Sequence, residues 1–299
     1  MPRVLPALLG VACLLAACAN AFCATPPTPA AGAVAAATAQ ATPPPNDDLD
    51  AVAWAQTAIE HRLVYLEIYR NAQSRLLAAL RDPRWDALPL DERMAPLRGL
   101  KPAVVLDIDE TILDNSPYQA RLIKSGGEYD EATWAAWCKQ EKARALPGAV
   151  AFTQFAAKHG IAVIYISNRA KSLDQVTLAN LRKDGFPVAG PDALLGMGVQ
   201  VPGCTQVGSQ KTCRRRLVSR RYRVLMQFGD QLGDFVNVPA NNRAAQAQAV
   251  APYLSWIGTR WFVLPNPTYG DWQPALFDND WALPAGQRRK DTMDALRYQ

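Results

Sequence analysis

The chain has 299 residues, 49% of them hydrophobic and 20% charged, with a formal net charge of +5. This is the composition of a globular protein, with room for one sizeable domain plus a cap or appendage. The basic excess is local: "CRRRLVSRRYR" (213–223) holds six arginines, and with no aromatic or Gly-rich RNA signature beside it the run reads as a solvated helix face, so no nucleic-acid partner is expected.

The first residues read as a targeting segment. "MPRVLPALLGVACLLAAC" has an early arginine, an apolar stretch and small residues before Cys18, which assigns residues 1–17 to a signal peptide. "LAAC" (15–18) resembles a bacterial lipobox, so Cys18 is expected to carry lipid and to become the mature N-terminus. Ala19 after it suits sorting to the outer membrane of a Gram-negative cell. A plain signal cut nearby, for instance after Ala24, is the alternative, and would leave a soluble periplasmic or secreted protein. Residues 18–48 are mostly Ala, Pro and Thr and read as a tether with a reach of about 30 Å. The domain proper is expected over 49–299.

Six cysteines divide accordingly. Cys13 leaves with the signal, Cys18 takes lipid and Cys23 lies in the tether. Cys138, Cys204 and Cys213 belong to the domain. Cys204 and Cys213 are close enough in sequence to close a small loop, and export would permit a disulfide there. No pair has zinc-site spacing.

Along the domain, residues 51–81 predict a helix, with Ile59, Leu63, Leu66, Tyr69, Leu76 and Leu80 at three-to-four spacing. It reads as a packing element outside the catalytic core. "AVVLD" (103–107) is a continuous apolar run, as a buried parallel strand would be. The stretch 116–146 is long, polar and aromatic, and helical in its second half; an insertion over about 115–147 reads as a cap. "PGAVAFTQFAAKHG" (147–160) predicts a helix, "IAVIYISNR" (161–169) a second strand, and "SLDQVTLANLRKDG" (172–185) a helix opened by a Ser-x-x-Gln capping box. "RVLMQFGD" (223–230) and "WFVLP" (261–265) predict two more strands. Strands alternating with helices define a Rossmann-like α/β fold, a three-layer parallel sheet with a small, mainly helical cap.

Three strands end in polar clusters: Asp107/Asp109, Ser167/Asn168/Arg169 and Asp230/Asp234. Clustered carboxylates at buried strand ends need compensation. Oxygen-only ligands suit Mg²⁺, with Asp107 and Asp230 giving side-chain oxygens and the region of Asp109 a backbone carbonyl. Such a cluster supports phosphoryl transfer through a carboxylate nucleophile.

"DIDET" resembles the D-x-D-x-T first motif of the haloacid dehalogenase superfamily, "VIYISNR" its second motif and "GDQLGDF" its fourth. With "VVLDIDETILDNSPY" and "LPNPTYGDWQPAL" (264–276), the chain is most similar to the class C, DDDD-type acid phosphatases, especially the lipoprotein e type 5'-nucleotidases. The resemblance implies a haloacid dehalogenase fold and an aspartyl-phosphate mechanism. It makes Asp107 the nucleophile and a metal ligand, and Asp109 the acid and base, with its backbone on the metal. It makes Thr111 the loop's organiser and gives Ser167 and the backbone of Asn168 a phosphate oxygen. It places Asp230 and Asp234 at the metal. The third-motif lysine is expected at Lys211, in "SQKTCRRR", with Lys183 as the other candidate; "KTCR" departs from the family's Lys-Ser-x-Arg-like segment. Trp134, Trp137 and Tyr269 are candidates to stack a nucleobase, unless they are simply core, and Asn115 and Arg169 are candidate substrate contacts. The implied substrate is a small phosphomonoester such as a nucleoside monophosphate.

Rival chemistries are weaker. Only two histidines occur, in "EHR" and "KHG", and neither fits a histidine phosphatase or offers the usual haem ligand. "CKQEKAR" (138–144) has Cys-x5-Arg spacing but no glycine to cradle phosphate. A non-catalytic nucleotide- or haem-binding surface lipoprotein, and a phosphotransferase acting on alcohols, stand as the alternatives.

Overall fold

The computed structural model describes residues 46–298. The signal, the lipobox with Cys18 and nearly all of the tether lie outside the described residues. The domain begins with helices α1 (Leu49–Thr57) and α2 (Ile59–Arg81). The single helix expected over 51–81 is thus two, broken at Ala58, which takes an extended conformation. No proline or glycine marks the break. Trp54 packs edge-on against His61 across the junction.

A parallel sheet follows. Its strands are β1 (Lys101–Leu106), β4 (Ala162–Ala170), β5 (Leu194–Met197), β6 (Tyr222–Gly229) and β7 (Trp261–Val263), in the order β5-β4-β1-β6-β7. The four expected strands are present; β5, short and without alternation, is an addition. After β1 the chain adds strands on one side and then returns to pair β6 on the other. β1 and β6 therefore flank the switch point, where the carboxyl ends of parallel strands open a crevice. Of the three motif-bearing strands, β1 lies in the middle with β4 and β6 as its neighbours, which is why motifs far apart in sequence meet.

Alternate residues of β1 feed two cores. Val104 and Leu106 pack in a cluster with Tyr69 and Leu76 of α2, Phe152 of helix α5 (Ala149–Lys158) and Leu181 of helix α6 (Asp174–Lys183). Ala103 and Val105 pack in a second cluster with Val218 of helix α7 (Thr212–Ser219), Phe235 and Trp261. The apolar run is continuous because both faces of the strand are covered. Helices α8 (Arg243–Val250) and α9 (Ala285–Asp294) follow.

The cap holds two helices, α3 (Ser116–Ser125) and α4 (Glu131–Cys138), so its first half is helical as well. Its base is closed by an antiparallel pair, β2 (Leu113–Asp114) with β3 (Arg144–Ala145).

Three local expectations need correction. The Ser172 capping box does not form: Lys171–Leu173 make a 3-10 turn, so α6 starts at Asp174 with no side-chain cap. On α2 the buried stripe is Tyr65, Tyr69, Ala72, Leu76 and Ala79, while Ile59 and Leu63 are exposed. And the arginine run is not a solvated face: Arg214, Arg215 and Arg223 are buried. Arg215 meets Glu92 through two 2.6 Å bonds with both side chains fully buried. Arg223 caps the carbonyls of Ala79, Leu80, Asp82 and Trp85 at the end of α2.

Candidate active site

The loop after β1 carries Asp107, Asp109, Glu110 and Thr111. Backbone bonds from Ile112 and Leu113 to the Ile108 carbonyl fold it into a tight turn. Two tyrosines of α2, one helical turn apart, hold the loop from below. Tyr65 donates to the Glu110 carbonyl (2.5 Å) and Tyr69 to that of Thr111 (2.7 Å). The helix read as remote packing thus anchors the catalytic turn.

Asp107, Asp230 and Asp234 each offer a carboxylate oxygen, all within 4.8 Å of one another. Lys211 reaches both Asp107 and Asp234, the latter at 2.5 Å. Thr111 Oγ1 donates to Asp107 (3.1 Å) and lies 3.4 Å from Asp230. Asp230 also accepts from Gln231 (2.6 Å) and Asn266 (2.8 Å), and Asp234 from the Gln231 amide (2.9 Å). Gly229 has a packing reason: a Cβ there would overlap the Asp234 carboxyl.

One ammonium cannot balance three carboxylates. Burial pushes Asp107 well above the ordinary carboxylate range; Lys211 pulls it down, and Asp234, Asp230 and Asp109 push it further up. Asp230 is pushed up to about 7, first by burial and then by Asp234. Burial would lower Lys211, but Asp107 and Asp234 outweigh it and raise its pKa above the usual lysine value. An oxygen-only site with charge left over fits a hard divalent cation.

Asp109 is not in this cluster. Its carboxylate is clamped by Arg169 (2.7, 3.0 and 3.2 Å) and by Asn115 Nδ2 (2.8 Å), and Ser167 Oγ lies 3.5 Å away. Arg169 and Asn115 are themselves buried. They were candidates for direct substrate contact; here they grip Asp109. Trp137 is buried too, and its indole N–H donates to Asn115 Oδ1 (2.8 Å), so it props the clamp and presents no open stacking face. Trp134 is half-buried under the Arg169 guanidinium, whose carbon stands 5.5 Å from the ring centre. Ser167 is buried and accepts from the Arg169 amide (3.1 Å), while Asn168 is exposed, its side-chain oxygen taking a bond from Arg214 (2.7 Å). Of the two lysine candidates, Lys183 lies at the end of α6, bonded to the Glu141 carbonyl; Lys211 is the one among the carboxylates.

Beyond the α2 tyrosines and the Asp230 partners Gln231 and Asn266, sequence reasoning missed three charged contributors. Glu110 is buried with a left-handed backbone (φ 55°), a conformation that costs about 1–3 kcal/mol and persists only where the surroundings enforce it. Its side chain accepts from the Asn115 amide (2.7 Å) and from the Tyr269 hydroxyl. Burial, with Asp109 adding to it, raises Glu110 well above the ordinary range. Tyr269, a stacking candidate, is therefore tied by its hydroxyl to the catalytic turn. Arg214 and Arg215 are the others. Arg214 donates to the Ser167 carbonyl (2.5 Å), Arg215 to those of Gly233 (2.7 Å) and Asp234 (3.0 Å). With Lys211 at its N-terminus, α7 joins the loop after β1, the end of β4 and the loop after β6. The signal was the arginine run itself, mistaken for a surface. The Cys204–Cys213 disulfide is formed. Cys138 is buried in the cap, its thiol pushed up to about 12 by burial, and is no tyrosine-phosphatase nucleophile.

A doubly wound sheet with acidic and serine motifs at the ends of its central strands, and a lysine at the start of α7 reaching into them, defines a haloacid dehalogenase fold. The chain belongs to the HAD superfamily, subfamily IIIB (acid phosphatase), whose family model matches residues 28–272. Among solved structures it is similar to the class C acid phosphatase from Bacillus anthracis with tungstate bound, at 34% identity and a TM-score of 0.72, covering 84% of this chain and 97% of that one. Among curated relatives it is similar to the stem 28 kDa glycoprotein of Glycine max (27% over 170 residues, 56% of this chain and 60% of the relative). It is also similar to acid phosphatase 1 of Solanum lycopersicum (26% over 165 residues, 55% and 57%). The chain thus spans somewhat under two thirds of the length of these curated relatives.

Proposed function

We propose that this chain is a metal-dependent phosphomonoesterase acting through an aspartyl-phosphate on Asp107. The observation that carries this reading is the convergence of Asp107, Lys211, Asp230 and Asp234 at the switch point, with Asp109 held alongside. Tungstate, a tetrahedral oxyanion, bound to a similar phosphatase supports it.

Asp107, Asp230 and Asp234 would hold the cation, Mg²⁺ in our reading, with the Asp109 carbonyl as a further ligand. Bound there, it would offset the charge of the phosphoryl oxygens. Asp107 attacks phosphorus, and the ester oxygen leaves with a proton from Asp109. Lys211 and Thr111 keep the attacking carboxylate oriented and partly neutralised. Ser167 and the Asn168 amide take a phosphoryl oxygen. Water then attacks the phosphoaspartate, giving its proton to Asp109 and releasing phosphate and free Asp107.

The substrate is a nucleoside monophosphate or similarly small ester, with Trp134 and Tyr269 as ring contacts. Residues 1–48 export the domain and tether it through lipid on Cys18 to the outer membrane. No helix among the described residues is long and apolar enough to cross a membrane. A hydrolysis screen over p-nitrophenyl phosphate, nucleotides and sugar phosphates, with and without EDTA, tests the reading. Hydrolysis unaffected by EDTA removes the metal; no hydrolysis of any ester removes the enzyme and favours a binding protein.

A further inference from the structure

Lys211 reaches the acidic cluster from an irregular connection. Residues 198–211 join β5 to α7 with no helix and no strand beyond an isolated bridge between Val201 and Cys204. A lysine side chain carries about 2 kcal/mol of rotamer entropy. Its ammonium must nonetheless lie between two carboxylates, in a site where a small misplacement is costly.

The segment is held partly by its own contacts and partly from outside, by Arg220 on the Pro202 carbonyl (2.8 Å) and by Gln210 on the Val238 carbonyl (2.9 Å). Gln206 donates to the carbonyls of Gly208 (2.9 Å) and Gln210 (2.5 Å), and Arg214 to those of Ser209 (3.3 Å) and Gln210 (3.2 Å). The covalent tie is the Cys204–Cys213 bridge. It closes a ring that contains Lys211 and ends in the first turn of α7. Every residue by which α7 reaches the strand-end loops is inside that ring or within two positions of it.

We infer that the Cys204–Cys213 bridge is a positioning element of the active site: it fixes the segment that delivers Lys211 to Asp107 and Asp234, so that full turnover requires the oxidised ring. The inference rests on the phosphomonoesterase reading above. Cys213 is buried but Cys204 is half-exposed. A pocket lined by Cys204, Gln206, Val207, Gln210, Cys213 and Arg216 gives small thiols and phosphines access to the bridge. In forming it, the two thiols pass two electrons and two protons to a disulfide oxidant such as oxidised glutathione, which leaves as two thiols. A phosphine reverses this, taking oxygen from water to give phosphine oxide and two cysteine thiols. A chain held in a reducing compartment would then be folded but nearly idle, and would gain activity on reaching an oxidising one.

The test uses the full chain, oxidised and with excess Mg²⁺, assayed on p-nitrophenyl phosphate before and after treatment with a water-soluble phosphine. Alkylation and mass measurement count the opened bridge. Reduction is expected to lower kcat by roughly 10- to 100-fold while KM moves less than about twofold, and oxidised glutathione restores it. The Cys204→Ser/Cys213→Ser double variant is expected at the reduced level and indifferent to phosphine. Hydrogen exchange should accelerate over 204–214 while β1, β4 and β6 stay protected. An opened bridge with unchanged kcat overturns the inference. So does exchange rising throughout the sheet, which would make the bridge a staple of the whole fold. If the oxidised chain hydrolyses no phosphomonoester, it is the functional reading that fails, and the exchange pattern still reports whether the ring orders Lys211.

Discussion

Proton release on metal binding offers the sharpest check on the acidic cluster. In the metal-free protein Asp230 is pushed up to about 7, and a carboxylate must be ionised to ligate. With that pKa, about a tenth of Asp230 is ionised at pH 6 and about nine tenths at pH 8, so Mg²⁺ affinity should rise about tenfold from pH 6 to pH 8. Asp107, also raised by burial, steepens the dependence. The sign for stability is the reverse of the usual carboxylate case. Because the folded-state pKa exceeds the ordinary 3.8, the metal-free fold loses stability from this group as pH rises from 3.8 through about 7. A cation at 100 times its Kd returns about 2.7 kcal/mol, or roughly 5–10 °C in Tm for a domain of this size. Titration calorimetry on EDTA-stripped protein, in buffers of different ionisation enthalpy, counts the protons. Equal affinity at pH 6 and pH 8 with no buffer-dependent heat would refute the assignment of Asp230 as a ligand.

Further outcomes follow from the same contacts. Asp107→Asn should abolish turnover while leaving circular dichroism unchanged; an active variant would rule out the nucleophile. Glu92→Ala leaves the Arg215 guanidinium buried without its carboxylate and should cost about 3–5 kcal/mol in urea denaturation, whereas a loss under about 1 kcal/mol would mean Arg215 finds water. Tyr269→Phe removes a donor from buried Glu110 and should cost about 1–3 kcal/mol; unchanged stability would show the hydroxyl is dispensable. Cys138, with its thiol pushed up to about 12, should resist iodoacetamide at pH 8 in the folded protein and react fully in denaturant.

The sheet was legible because fully buried parallel strands are written as unbroken apolar runs, and because three of the four runs ended in polar clusters. "AVVLD" and "IAVIYISNR" needed no partner to be recognised. β5 was not legible: four residues, one of them glycine, carry no periodicity, and pairing with β4 makes them a strand. The cluster of Asp107, Asp230 and Asp234 was readable as residue types at strand ends, and the fold supplies their proximity. What the one-dimensional pattern hid was which side chains turn inward. Arg214 and Arg215 look like surface until their carbonyl and carboxylate partners are known. Asn115, Arg169 and Trp137 form a chain of supports for Asp109, through contacts that span 6 to 60 positions and that only the fold brings together.

The tyrosine pair of α2 sets a limit on how far the protein can be shortened. A fragment beginning near residue 100 would retain every acidic, serine and lysine motif. It would also uncover Phe152 and Phe228, on which Tyr69 packs, and would leave the carbonyls of Glu110 and Thr111 without their hydroxyl donors. Catalytic competence is therefore inherited from a stretch that contains none of the reacting groups, and sequence searches keyed to motifs alone would set the domain's start too late.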